Sequence, residues 1–106
     1  MDRKEALAEL IAMVEAGSDD VPDFAAFVSR PLMQCKAGEA YRGSLDAAKA
    51  LHDAVLPGWG WALTDIGEAH ILSADGPIAA GESDNPARAW LLAILKSLHA
   101  QADTAQ

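Results

Sequence analysis

Apolar positions along this chain repeat with two different periods, and the change of period separates helices from strands. Ala6, Leu7, Leu10, Ile11 and Val14 recur at three- and four-residue spacing, which lays one apolar stripe on a helix. Asp2 stands at the N-cap position, Glu5 completes a capping box three residues on, and Gly17 supplies a C-terminal stop. A helix over about 2–16 is expected. Val21 to Ala40 is patterned more weakly. Phe24, Phe27 and Val28 suit a short helix entered through Pro22, and Pro31 either kinks it or opens a further turn carrying Leu32, Met33 and Cys35. This predicts a second helix over about 22–36, with Gly38 and Gly43 bracketing Tyr41-Arg42 as loop. Ser44 is an N-cap, Asp46 suits the positive helix end, and Leu45, Ala48, Leu51, His52 and Val55 form the stripe of a third helix over about 44–56. Pro57-Gly58 ends it.

The period then drops to two. Trp59, Trp61 and Leu63 alternate with Gly60, Ala62 and Thr64, which reads as a strand. Asp65-Ile66-Gly67 is a turn, and Ala69 to Leu72 is a second strand. Ala74-Asp75-Gly76 signals a hairpin into a short third strand, Ile78 to Ala80. Such short connections predict an antiparallel meander, because a parallel pair needs a long crossover. Asn85-Pro86 is a cap followed by proline at the first helical position, and Ala87, Trp90, Leu91, Ile94, Leu95 and Leu98 make a wide apolar face. The fourth helix is expected over about 86–101, with a frayed tail after it. The fold class is therefore α+β in one domain, residues 1–106: a three-stranded antiparallel meander packed by helices. Trp59 and Trp61 are expected to be buried against the last helix and Trp90; the alternative is an exposed stacking platform for a sugar or base.

Composition narrows the function classes. Hydrophobic residues make up 51% of the chain, an ordinary globular value. Cys35 is the single cysteine, so no internal disulfide is available and a reducing compartment fits. The charged start, Met1-Asp2-Arg3-Lys4-Glu5, does not read as a signal peptide, and the longest apolar run, Ala89 to Leu95, is too short for a membrane span. A cytoplasmic location is expected. The net charge is −8. Acids occur without Lys or Arg from Glu5 to Asp23 and again from Asp53 to Asp84, while Arg30, Lys36, Arg42 and Lys49 lie between these blocks. Direct binding of nucleic acid or of an anionic membrane is disfavoured, since both need cations facing phosphate. A protein partner with a basic surface would be attracted, and Asp65, Glu68, Asp75, Glu82 and Asp84 are the candidate partner-binding residues. The alternative is that the acidity only maintains solubility.

No catalytic set stands out, and no cofactor or metal is expected. His52, His70 and His99 have no ligand spacing. Glu68 and His70 share a strand face, which makes them either an acid–base pair or an ordinary polar contact. Asp19, Asp20 and Asp23 lack the glycine and closing glutamate of a calcium loop. Cys35 has only Lys36 beside it and reads as an inert thiol.

Three stretches look like a known family: Gly43-Ser44-Leu45-Asp46-Ala47-Ala48, Leu56-Pro57-Gly58-Trp59-Gly60-Trp61 and Asn85-Pro86-Ala87-Arg88-Ala89-Trp90-Leu91-Leu92-Ala93-Ile94-Leu95. Over residues 43–100 the chain resembles small phage and prophage proteins classed as the phage ABA sandwich domain. The resemblance implies a sheet with helices on both faces, an α/β/α sandwich. Ile71 and Leu72 are both apolar, as two-sided burial requires. It implies a phage or prophage origin and brings no activity and no site residues. The resulting expectation is a non-enzymatic phage accessory protein that binds a protein, in its sharpest form an acidic inhibitor of a host-defence (anti-CRISPR-like) complex. The alternatives are a small assembly component forming a homodimer or larger homo-oligomer through Leu92 and Ala93, and an enzyme whose site is not recognisable from sequence.

Overall fold

The computed structural model describes residues 3–17, 24, 31–64, 67–73 and 76–104. Four helices and three strands follow in the order α1 (Arg3–Ala16), α2 (Pro31–Tyr41), α3 (Leu45–Val55), β1 (Gly60–Leu63), β2 (Glu68–Ser73), β3 (Gly76–Glu82) and α4 (Pro86–Thr104). The class is α+β, and the strands form an antiparallel meander in the order β1-β2-β3. The sheet packs against α4 and α1.

α4 is the hub of the core, touching β2, β3 and the three other helices. Its apolar residues run all round the helix, from Ala87 through Leu95, and all but Arg88 are buried. This corrects the expectation of an exposed α4 face: Leu92 and Ala93 are buried, so they offer nothing to a second copy. A helix that is apolar on every side needs neighbours on every side, and α4 has them.

Local chemistry sets the helix ends. Asn85 Oδ1 accepts hydrogen bonds from the N–H groups of Ala87 (3.0 Å) and Arg88 (3.3 Å), and Ser44 Oγ accepts one from Ala47 (3.1 Å). Both are N-caps of the expected kind. α2 departs from expectation. Its expected 22–30 portion lies outside the described residues, apart from Phe24, and the helix runs on through Gly38 to Tyr41. A mid-helix glycine costs about 1 kcal/mol, but burial of the Tyr41 ring outweighs that cost. Phe24 packs against this ring at 6.5 Å, and the Arg88 guanidinium lies 4.1 Å above its face. Gly43 then ends the helix in a Schellman motif: its N–H bonds to Ala40 O, and the Ser44 N–H reaches back to Glu39 O.

The indoles divide. Trp90 is buried, as expected. Trp59 is half-buried and precedes β1 rather than starting it. Trp61 is 39% exposed, which corrects the expectation of a buried pair. It shares a register row with Ile71 and Ala79, and its ring centroid lies 4.4 Å from that of Trp90. Among the described residues β1 is an edge strand, and no further strand lies beside that ring on its outer side.

Candidate functional site

Strand alternation sorts β2 and β3 into two faces. Ala69 and Ile71 are buried with Gly81 on the helix-facing side. Glu68, His70, Ala80 and Glu82 take the opposite parity, with Glu68 directly across from Glu82 and His70 across from Ala80. These four residues line a cleft of about 430 Å³ together with Glu15 from the last turn of α1 and Leu92 and Lys96 of α4. His70 Nε2 lies 3.2 Å from Glu68 Oε2, and Lys96 Nζ lies 3.4 Å from Glu15 Oε2. Both pairs remain partly open to water.

Carboxylates outnumber cations in this cleft. Glu68 and Glu82 face each other across the ladder, an arrangement that repels rather than stabilises. The cleft therefore suits a cationic group arriving from outside. Thr64 Oγ1 accepts a hydrogen bond from the Glu68 N–H at 3.1 Å, which fixes the start of β2 at the edge of this cleft. Among the described residues no group of three His, Cys, Asp or Glu side chains could hold a metal ion.

Of the expected partner-binding residues, Glu68 and Glu82 come together here. Asp84 is exposed just beyond the end of β3, and Asp65 and Asp75 lie outside the described residues, as do Asp19, Asp20 and Asp23. Sequence reasoning missed Glu15 and Lys96. Neither carries a local signal, because only the packing of α1 on α4 brings them to the sheet. Cys35 is exposed on α2, and Lys36 pairs with Glu39 at 3.5 Å.

His52 is a structural histidine, held in one tautomer. The Trp90 Nε1–H can only donate, and it lies 3.3 Å from His52 Nδ1. The Trp59 carbonyl can only accept, and it lies 2.8 Å from His52 Nε2. In this arrangement Nε2 donates and Nδ1 accepts, and the ring ties α3, α4 and the entrance to β1 together. No helix among the described residues is long and apolar enough to cross a membrane. No family model, curated protein or solved structure matches this chain.

Proposed function

We propose that this chain is a non-enzymatic phage or prophage accessory protein that acts in the cytoplasm by binding a protein with a basic surface. That partner would contact the cleft lined by Glu68, His70 and Glu82 of the sheet, Glu15 of α1 and Lys96 of α4. One observation carries it: Glu68 and Glu82 are paired in register across β2 and β3, in a chain of net charge −8. A like-charge cross-strand pair lowers stability by a few tenths of a kcal/mol. Its presence at the rim of a cleft is accounted for by a ligand that neutralises it. A lysine or arginine side chain of a partner does so, and arginine can bridge both carboxylates with its forked donors. In the sharpest form of the reading the partner is a host-defence nuclease complex, and the carboxylates occupy the channel that otherwise holds nucleic-acid phosphates.

The test is binding to purified host-defence complexes at low and moderate salt, with the wild-type chain and a Glu68→Gln/Glu82→Gln variant. Wild-type binding should weaken as salt rises. The variant should bind at least about tenfold more weakly, which is about 1.4 kcal/mol, while unfolding at slightly higher denaturant. Binding that ignores both salt and the substitutions would overturn the charge-based reading.

A further inference from the structure

We infer that the open edge of β1 pairs with β1 of a second copy of this chain, in antiparallel register about Ala62.

The backbone parity of β1 follows from one bond. The Thr64 N–H donates to Glu68 O at 2.9 Å, so Thr64 turns its backbone toward β2. Successive residues of a strand direct their N–H and C=O groups to opposite sides. Gly60 and Ala62 thus also face β2, while Trp61 and Leu63 direct theirs to the outer edge. Trp59 has the same outward parity, but its N–H bonds to Leu56 O and its C=O is taken by His52 Nε2. The available edge is therefore confined to Trp61 and Leu63. Among the described residues no other strand pairs with it.

That short edge is self-complementary. A two-fold axis through Ala62, perpendicular to the sheet, sets Trp61 against the partner copy's Leu63 and Leu63 against its Trp61. All four residues have outward-facing backbone, so both rows become hydrogen-bonded pairs, with the two Ala62 residues as the non-bonded pair between them. The side chains agree as well. Trp61 and Leu63 lie on the same face of β1, so each half-open Trp61 ring would cover a half-buried Leu63 of the other copy.

Charge selects a second copy of this strand over other surfaces of the molecule. From Ala54 to Thr64 there is no charged residue, whereas the chain as a whole carries −8. A self-contact through the cleft would bring Glu15, Glu68 and Glu82 of the two copies together, whereas this one brings neutral strands together. β1 also lacks the usual edge protection of a charge, a proline or a bulge. β3 has all three: Glu82, Pro77, and a register shift that leaves Ile78 as an extra residue.

A ladder this short makes a weak pair, so sedimentation should be read at protein concentrations up to about 1 mM. The expected result is a monomer–dimer equilibrium that tightens as salt screens the net charge, opposite in sign to the salt effect on a basic partner. Leu63→Pro removes one outward N–H and no bond to β2, and it should weaken dimerisation at least about tenfold with the circular dichroism spectrum kept. Register is tested separately by Ala62→Cys in a Cys35→Ser background. Opposed non-bonded residues have Cα atoms about 4.5 Å apart, within disulfide reach, so mild oxidation should cross-link this variant and leave an Ala80→Cys control uncrosslinked. A strict monomer at the highest concentration would overturn the inference. So would a dimer that survives Leu63→Pro, or one in which Ala62→Cys fails to cross-link.

Discussion

Along β3, Gly81 is pressed against the α4 backbone, Pro77 interrupts the outer donors, and Glu82 places a charge at the rim of the cleft. Along β1, four uncharged residues end the sheet, and the Trp61 ring, 39% exposed, rests on Trp90. One edge is thus fastened to the core and carries Glu82, while the other is uncharged and, among the described residues, pairs with no further strand. The two proposals rest on this difference: a basic partner at the carboxylates of the cleft, and a second copy at the edge of β1.

The largest effect is expected where the two sides meet the core. Trp90→Ala should cost roughly 3–5 kcal/mol, because it empties the space of a fully buried indole and leaves His52 Nδ1 without its donor. Trp61→Ala should cost less than half as much, since much of its ring already meets water. Equal losses in denaturant titrations would erase the contrast between the edges.

Gly81→Ala comes next. A Cβ at this position would clash with Ala89 O and lie 2.8 Å from Ala93 N, both backbone atoms of α4, so β3 would have to move off the helix. The expected cost is about 3 kcal/mol, at the upper end of overpacking. A loss below about 1 kcal/mol would mean that β3 is not held as closely as its contacts imply.

The smallest effect lies away from both edges. A hydrogen bond from Lys49 Nζ at 2.7 Å is the main cause holding the Asp53 carboxyl below its usual range. A carboxyl depressed on folding stabilises the fold above its unfolded pKa, and that contribution disappears as pH falls through the folded value. Lys49→Gln should therefore raise the Asp53 titration midpoint observed by NMR. It should lower stability slightly at neutral pH and not at all once Asp53 is protonated in both proteins. A larger loss would show that α3 depends on this surface pair, which a solvent-exposed contact should not produce.

Much of the fold was legible because its signals are local. Ser44 and Asn85 mark their helix starts by short-range hydrogen bonds, and the alternation after Trp59 predicted the meander. The errors came where distant contacts overrode local preference. Gly38 read as a break, yet burial of Tyr41 under Arg88 carries the helix through it. Leu92 and Ala93 read as a spare apolar face, yet other elements cover them. Of the cleft, Glu68, His70 and Glu82 were visible as charged or polar residues on strands, but their partners Glu15 and Lys96 were not.

From sequence alone came the α+β class, the antiparallel meander, the caps at Ser44 and Asn85 and an acid-rich character, because periodicity, capping and charge are properties of neighbouring residues. Only the tertiary structure decided that Glu68 stands opposite Glu82, that His52 links Trp59 and Trp90, and that among the described residues no second strand pairs with β1. Each of these depends on which segments meet across the core. That is settled by the summed burial and backbone pairing of the whole chain, and no short stretch of sequence encodes it.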